Sequence, residues 1–112
     1  MMKIEIKPLS VNNAWQGRRF KTKMYRDFES DLLMLLPKDV DIPEGELSLW
    51  LTYGFSSKGS DLDNPTKMVI DILSKKYGFN DNRIYNINLQ KQIVSKGKEF
   101  VQFVFYKHPL EW

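Results

Sequence analysis

The sequence predicts an α+β fold: a single domain over residues 1–112 in which two helices pack against one mixed β-sheet. Apolar and polar residues alternate in four stretches, as in strands that bury one face. In two other stretches apolar residues recur every three or four positions, which indicates amphipathic helices. The last two predicted strands follow each other closely, which favours a mixed sheet over a doubly wound parallel one. A chain of 112 residues is long enough for one domain with a modest core.

Four strands are predicted from the alternation. The first covers residues 2–7, and the second runs from Leu47 to Tyr53. The third alternates from Tyr85 to Leu89, with asparagine and glutamine on its polar face. The fourth, Phe100–Tyr106, is rich in residues that favour strands. Because Ser95–Lys98 has the composition of a tight turn, we predict that the last two strands form a hairpin.

The first helix is predicted to begin after Thr22, which is a suitable N-cap, and to end at Leu36. Pro37 disfavours the helical conformation of the residue before it. The buried stripe of this helix is expected to consist of Tyr25, Phe28, Leu32, Leu35 and Leu36.

The second helix is predicted from Pro65 to about Lys76, with Asn64 as its N-cap. Proline fits the first helical position, where the missing N–H removes no hydrogen bond. Gly78 is the expected C-terminal cap. The buried stripe of this helix is expected to consist of Met68, Val69, Ile72 and Leu73.

Composition excludes several kinds of site. Hydrophobic residues make up 42% of the chain and charged residues 28%, which is ordinary for a globular protein. The chain has no cysteine, so disulfides, thiolate catalysis and zinc–sulfur sites are excluded. We expect no signal peptide, no membrane span and a cytoplasmic location. The formal net charge of +3 permits a nucleic-acid partner without requiring one.

Two aspartates, Asp61 and Asp63, precede the second helix with one residue between them. In an extended chain they would point to the same side, while Leu62 would point into the core. We expect the helix and its following turn to bring Asp81 back beside them. Mg²⁺ prefers oxygen ligands and keeps several waters, so one to three carboxylates suffice. This stretch therefore outlines a site for a divalent metal and a phosphate, because the N–H groups at a helix N-terminus also favour anions.

Lys67 falls in the first turn of the second helix, on the side where the carboxylates end. Its ammonium is placed to contact a scissile phosphate or an attacking water, or to balance the carboxylates without metal. The alternative is a surface ion pair with Asp71, four residues on. A lysine near a helix N-terminus opposes the helix dipole, and Asp63 is a candidate reason for its presence.

A plainer interpretation of the acids also stays open. Asp63 or Asn64 would then only cap the helix, and Asp61 and Asp81 would be solvated turn residues. Spacing alone does not decide between this interpretation and a metal site, because two aspartates separated by one residue are common.

Basic and aromatic residues alternate before the first helix, as in an arm that binds phosphates, although a solvated loop is an equal alternative. The candidate DNA-binding residues are Arg18, Arg19, Lys21, Lys23, Lys58 and Lys67. Phe55 is assigned to the flexible loop that follows the second strand. It would either wedge between bases or fold back on its own domain. His108, the only histidine, has no partner in the sequence pattern, so a catalytic triad has no support.

One longer pattern is far more specific than the pair of aspartates. It begins with Asp61-Leu62-Asp63-Asn64-x-x-Lys67 and continues through a helix of about three turns with Asp71 and Leu73. Gly78-Phe79 and then Asp81-x-x-Ile84 lead into a strand. The opening strand followed by Pro8-Leu9-Ser10-Val11-Asn12-Asn13 fits the same pattern. With these features most of the chain resembles the RusA family, which consists of small phage- and prophage-associated endodeoxyribonucleases that resolve Holliday junctions.

The resemblance implies a homodimer that binds a four-way DNA junction and makes paired symmetric nicks. It implies Mg²⁺, with Mn²⁺ as an alternative ion, and metal-activated water that leaves a 5′-phosphate and a 3′-hydroxyl. Asp61, Asp63 and Asp81 would be the catalytic, metal-binding acids and Lys67 the catalytic lysine. No membrane partner and no small-molecule cofactor are implied.

The chain departs from the family pattern in two respects. The spacing from Gly78-Phe79 to Asp81 is short against that pattern. Where the family usually has two consecutive acids, this chain has Asn80-Asp81, and Asp81 is matched to the second of them. Asn80 offers a neutral oxygen in place of a carboxylate. Two rival functions therefore stay open: a catalytically weak or inactive DNA-binding homologue, and a structural or regulatory phage protein without enzymatic activity.

Overall fold

The fold alternates short strands with two helices, and it is taken from a computed structural model that describes residues 2–10, 15, 16 and 20–110. For residues 15, 16 and 20 the backbone alone is described. The elements are β1 (Met2–Ile4), β2 (Trp15–Gln16), β3 (Phe20–Lys21), α1 (Lys23–Leu35), β4 (Leu47–Phe55), α2 (Thr66–Tyr77), β5 (Ile84–Ile93) and β6 (Phe100–Lys107). A 3₁₀ turn, Asp81–Arg83, precedes β5. The predicted α+β domain, with two helices and one mixed sheet, is confirmed.

Strand β4 lies in the interior of the four-stranded sheet, whose order is β1-β6-β4-β5. It pairs in parallel with β5, so that Leu51 faces Leu89, and antiparallel with β6, so that Leu51 also faces Phe103. A parallel pair requires a crossover, and α2 supplies it. The unit β4–α2–β5 thus places α2 on one face of the sheet.

The predicted hairpin between the last two strands is wrong. The turn itself exists, since the N–H of Lys98 donates to the carbonyl of Ser95 over 2.9 Å. However, β4 lies between β5 and β6, which do not pair with each other. The βαβ connection places β5 at one edge of β4, and the other edge of β4 is left for β6. The residues of the turn predicted that the chain reverses between β5 and β6. They did not predict that β4 lies between these two strands.

Helix α1 forms nearly as predicted. Thr22 caps it, because its Oγ1 accepts a hydrogen bond from the N–H of Tyr25 over 3.1 Å. Tyr25, Phe28 and Leu32 are buried. Leu35 was expected in the buried stripe, but it is 52% exposed, because the helix ends there and Leu36 turns into the core instead.

Helix α2 buries the predicted stripe, but its N-terminus differs from the prediction. Thr66, not Pro65, is the first helical residue, and Pro65 occupies the cap position without a side-chain cap. Asn64 is not the N-cap, because its Nδ2 donates to Ser10 Oγ over 3.1 Å. At the other end Gly78 has a φ of 71°, a left-handed conformation that glycine adopts without strain. The predicted C-terminal cap is confirmed.

The core lies between the sheet and the two helices. Side chains of β4 that point to the helices are fully buried, and they include Leu47, Leu49, Leu51 and Tyr53. Tyr53 also bonds the start of α2, since its hydroxyl lies 2.8 Å from Thr66 Oγ1. This buried bond fixes the N-terminal end of α2 against the C-terminal half of β4.

Two smaller features complete the description. β2 and β3 form a two-stranded antiparallel ribbon within the basic and aromatic stretch, for which the sequence left open a phosphate-binding arm or a solvated loop. No helix in the described part of the chain is long and apolar enough to cross a membrane.

Gly54 in β4 provides a test of this packing. A Cβ added there would overlap the ring of Phe100 on β6. We expect Gly54→Ala to lower the free energy of unfolding by about 1–3 kcal/mol, because overpacking displaces the ring or the backbone. Urea denaturation measures this change.

Gly59→Ala is the matched control, since the nearest atom to its Cβ would be Ser57 Oγ at an ordinary 3.7 Å. Its free energy of unfolding should change by no more than about 0.5 kcal/mol. Equal effects of the two substitutions would contradict the described contact between β4 and β6.

Candidate active site

The two aspartates before α2 lie in consecutive turns and not in an extended chain. The N–H of Asn64 donates to the carbonyl of Asp61 over 3.3 Å, and that of Thr66 to the carbonyl of Asp63 over 3.1 Å. Both aspartates are exposed, whereas Leu62 packs against the core as expected. Asp61 and Asp63 are thus both exposed because of the turns in which they lie. The extended conformation considered for this stretch is wrong.

Two side-chain contacts hold this turn segment against the rest of the domain. Asn64 bonds Ser10 in the N-terminal segment. Lys91, on β5 beside Tyr53 of β4, donates from Nζ to the carbonyls of Ser60 and Lys58, over 3.0 and 3.4 Å. Lys91 therefore holds the loop at Ser60, the residue directly before Asp61.

Lys67 links two acids that come from different elements. Its Nζ lies 3.1 Å from Asp71 Oδ1, one helical turn on, and 3.5 Å from Asp81 Oδ2 in the 3₁₀ turn. The hydrogen bond and charge of Asp71, and then the charge of Asp81, raise the pKa of Lys67 above its usual value. The ammonium thus stays charged at neutral pH although it lies near the N-terminus of a helix.

Asp71 also lies close to a buried phenol between α1 and α2. Burial, followed by the charges of Asp71 and Glu29, raises the pKa of Tyr25 to about 12. The phenol is therefore protonated at neutral pH. Its contribution to this region is a neutral side chain that packs against Met68.

Asn80 has a definite role in presenting Asp81. Its Oδ1 accepts the N–H of Asn82 over 3.0 Å and so caps the 3₁₀ turn that carries Asp81. Arg83 fastens the other end of that turn, because its guanidinium donates to the carbonyls of Gly45 and Pro43. Asparagine at position 80 thus performs a capping function that a second free carboxylate would also be able to perform.

The predicted acids fall into two groups. Asp61 and Asp63 follow the end at which β4 finishes, whereas Asp81 precedes β5, whose first residue pairs with the first residue of β4. Within the described residues, no three acidic, histidine or cysteine side chains lie close enough to hold one metal ion. Lys67 is the link, since it follows Asp63 in the same turn segment and reaches Asp81 with its ammonium.

The predicted DNA-binding residues have different surroundings. Arg18 and Arg19 lie outside the described residues. Lys21 pairs with Glu29 over 3.1 Å and lies over the ring of Tyr25, and Lys23 pairs with Asp27 over 2.9 Å. Lys58 is exposed in the loop before Asp61.

Phe55 is not a loop-tip aromatic. It is the last residue of β4, only 7% of it is exposed, and its ring packs against that of Tyr53. The alternative in which it folds back on its own domain is confirmed, and its burial excludes insertion of this ring as a wedge between stacked bases. His108 lies beside the exposed ring of Tyr85, with 5.8 Å between ring centroids.

Two residues that the sequence interpretation left aside help to build the site: Lys91 and Arg83. A third, Asp71, was named there as an alternative ion-pair partner of Lys67, and that ion pair is present. The spacing of Asp71 from Lys67 was a usable signal, but it indicated only a surface ion pair. Lys91 and Arg83 bond backbone carbonyls of distant loops, and no local pattern in the sequence predicts such contacts.

Comparison of the chain with protein-family models and with curated proteins finds no match. The geometry of the site must therefore support any function by itself, together with the pattern of residues from Asp61 to Ile84.

Removal of the Lys91 contacts provides a test of how the loop before Asp61 is held. We expect Lys91→Met to release the loop around Lys58, because two hydrogen bonds to its carbonyls are lost. Limited trypsin digestion should then cut after Lys58 several times faster, since cleavage follows the population of the open loop.

Lys96→Met is the matched control, because Lys96 is exposed in the turn between β5 and β6. It should leave the rate of cleavage after Lys58 unchanged. An unaltered rate in Lys91→Met would show that the loop does not depend on this contact.

Proposed function

We propose that the protein is a Mg²⁺-dependent endodeoxyribonuclease that cuts four-way DNA junctions by paired, symmetric nicks, in the cytoplasm of a bacterial host. The observation that carries the proposal is the exposed ammonium of Lys67, which two carboxylates from separate elements hold directly after the turn of Asp61 and Asp63. Acids and a lysine in this arrangement suit a phosphodiester, whose charge must be bound and whose cleavage adds charge.

The donor chemistry fits a hard cation, since the candidate ligands Asp61, Asp63 and Asp81 offer only carboxylate oxygens and all three are exposed. The described residues hold no group of three such side chains, but one or two carboxylates suffice for Mg²⁺ when waters and a substrate phosphate complete its shell. When bound, the ion would activate water for attack and stabilise the charge that develops on the phosphate. Mn²⁺, with similar ligand preferences, is an alternative ion.

Lys67 has two functions in this proposal. Without DNA its ammonium neutralises Asp71 and Asp81, which would otherwise repel each other. With DNA it would turn towards a non-bridging phosphate oxygen, because 72% of its side chain is exposed. The contacts with Asp71 and Asp81 raise the pKa of Lys67 and so keep the proton on the amine in the protein without DNA.

Binding of the DNA backbone is assigned to the basic side chains other than Lys67, and the net charge of +3 favours it. Arg18 and Arg19, which lie outside the described residues, are the first candidates from their place in the sequence. Lys23 and Lys58 are further candidates, because exposed basic side chains suit phosphate contacts. Lys21 is a weaker candidate, because Glu29 already binds its ammonium.

A homodimer is part of the proposal, and β5 is the surface that supports it. This strand is ten residues long and lies at the sheet edge, where its outer backbone groups have no neighbouring strand in the described sheet. Tyr85, Ile87 and Ile93 are 63%, 42% and 46% exposed, and the single charge of the strand, Lys91, bonds the loop before Asp61. Such an edge readily pairs with another chain. A second copy around a two-fold axis would continue the sheet and present two equivalent sites to a symmetric junction.

The rival functions make different predictions. If Lys67 and Asp71 form only a surface ion pair, the region has no catalytic role and contributes at most a few tenths of a kcal/mol to stability. If the chain is an inactive homologue, it binds junctions and cuts none. The capping bond of Asn80 counts against a site destroyed by that asparagine, since Asp81 is still presented to Lys67.

The deciding experiment compares a synthetic four-way junction with a linear duplex of the same sequence, with and without Mg²⁺. The proposal predicts paired nicks in the junction only, and only with the metal. Tight junction binding without nicks would favour the inactive homologue. If the protein shows no preference for the junction over the duplex in either binding or cleavage, only a structural or regulatory role would remain.

Asp63→Asn tests the assignment of the acids. We expect the rate of junction cleavage to fall roughly 100-fold or more, because a carboxylate ligand of the catalytic Mg²⁺ would be lost. Junction affinity should persist, because it depends mainly on phosphate contacts with basic residues. Single-turnover cleavage and gel-shift assays measure the two quantities separately.

Asp31→Asn on α1 is the control, as an exposed aspartate away from the turn segment. It should cleave at the wild-type rate. Wild-type cleavage by Asp63→Asn would remove this residue from the site.

Charges on the exposed edge of the sheet test the homodimer. We expect the double substitution Ile87→Glu and Ile93→Glu to convert a dimer into a folded monomer, because like charges would meet at the paired edge. Light scattering after gel filtration gives the mass, and circular dichroism reports the fold.

Met34→Glu is the control, since Met34 on α1 is an apolar residue that is 82% exposed. It should remain dimeric. An unchanged mass of the double variant would exclude β5 as the interface, and a monomeric wild-type protein would exclude the homodimer itself.

A further inference from the structure

A cavity of about 370 Å³ opens directly beside Asp61, at the end where β4 finishes. Ligand pockets in proteins commonly measure about 300–1,000 Å³, so this cavity is large enough for a small ligand. Its apolar lining includes Pro8, Leu9 and Phe55, and serines of the loop before Asp61 add hydroxyl groups. An apolar lining with polar groups beside it suits a flat, polar ring.

Glu99 and Lys7 provide the charged groups of this cavity on the side away from Asp61, which also lines it. Glu99 Oε2 accepts the hydroxyl of Ser56, and Oε1 accepts the N–H of Gly97, each over 2.8 Å. The backbone N–H of Glu99 itself, then Ser56, and more weakly Lys7, hold the pKa of Glu99 below its usual value. An ionised carboxylate accepts hydrogen bonds only, and Lys7 donates only.

We infer that this cavity receives a single nucleobase with an exocyclic amino group, extruded from the DNA strand next to the cut. The carboxylate of Glu99 would accept from the amino group, as acids do from cytosine. The ammonium of Lys7 would donate to a ring nitrogen or carbonyl of the same base. The aliphatic and aromatic lining would replace the stacking that the base loses.

The position of the cavity connects the base to the proposed reaction. Asp61, Asn64 and Pro65 line the cavity and also belong to the segment that enters α2. A phosphate bound at the aspartates would therefore carry its own nucleotide towards the cavity. Extrusion costs least where stacking is already interrupted, as at the exchange point of a junction. The inference rests on the proposed function and assigns the nucleotide preference at the cut to residues outside the acidic site.

The test uses a four-way junction with 2-aminopurine, a fluorescent base that has an exocyclic amino group, next to the exchange point. Ca²⁺ replaces Mg²⁺ so that binding is measured without cleavage. We expect a several-fold rise in emission when the wild-type protein binds, because the base leaves the stack. Anisotropy of a separate label reports binding itself.

Ser57→Leu should abolish the rise, because the larger side chain fills part of the cavity, while junction affinity changes by less than about threefold. Ser95→Leu, the same substitution in the exposed turn before β6, should keep it. A rise that persists in Ser57→Leu would overturn the cavity assignment. Junction binding without any rise would overturn the inference and leave the proposed function intact, whereas failure to bind the junction would overturn both.

Glu99→Gln provides a second test with little change in shape. Junctions that differ only in the tested base should bind the wild-type protein about tenfold more tightly with cytosine or adenine than with thymine. Glu99→Gln should reduce this ratio to near one, and Glu44→Gln, an exposed loop substitution, should retain it. An unchanged ratio in Glu99→Gln would exclude Glu99 as the group that reads the base.

Discussion

The position of β4 between β5 and β6 is the constraint on which the rest of the structure depends. Both edges of the strand are paired, and its helix-facing side chains have no exposed surface. It cannot shift by one residue without moving its buried side chains to the wrong face. The buried bond between Tyr53 and Thr66 extends this fixed register to α2. The turn segment with Asp61 and Asp63 is therefore attached at both ends to elements of fixed position.

Local sequence patterns predicted most of the helices and strands, because the residues that cap or bury each element lie within that element or next to it. The cap of Thr22, the left-handed Gly78 and the stripe of α2 depend on residues within one or two turns. The strand order depends on which distant segments pair with the two edges of β4. The spacing of apolar residues along the chain carries no information about this pairing. Phe55 shows the same limit, because its place in the strand follows from pairing with Ile93 and not from its serine- and glycine-rich neighbours.

At the site, the sequence indicated which residues are available but not how they are grouped. Asp61, Asp63, Lys67 and Asp81 were recognisable from spacing, yet the helix returns the chain to the opposite end of β4 before Asp81 appears. The ammonium of Lys67 is what connects the two groups. Its contribution to stability is small because it is exposed, and the raised pKa means that this contribution is present below the unfolded-state pKa and is lost as pH rises through the folded-state value. Such a contact suits a ligand site, since little free energy opposes its rearrangement.

One segment, residues 56–66, determines the placement of both the acids and the adjoining cavity. Its conformation depends on Lys91 from β5, on Ser10 from the N-terminal segment and on Tyr53 of β4, which bonds Thr66. A change in any of these anchors would move Asp61 and the wall of the cavity together, because the aspartate belongs to both. The rate of a reaction at the acids and the choice of base in the cavity would then change together. Substitutions on the far wall, such as those of Glu99, would alter the choice of base alone. Under the proposed function, residues of the far wall would thus set where the strand is cut, whereas the three anchors would position the whole segment.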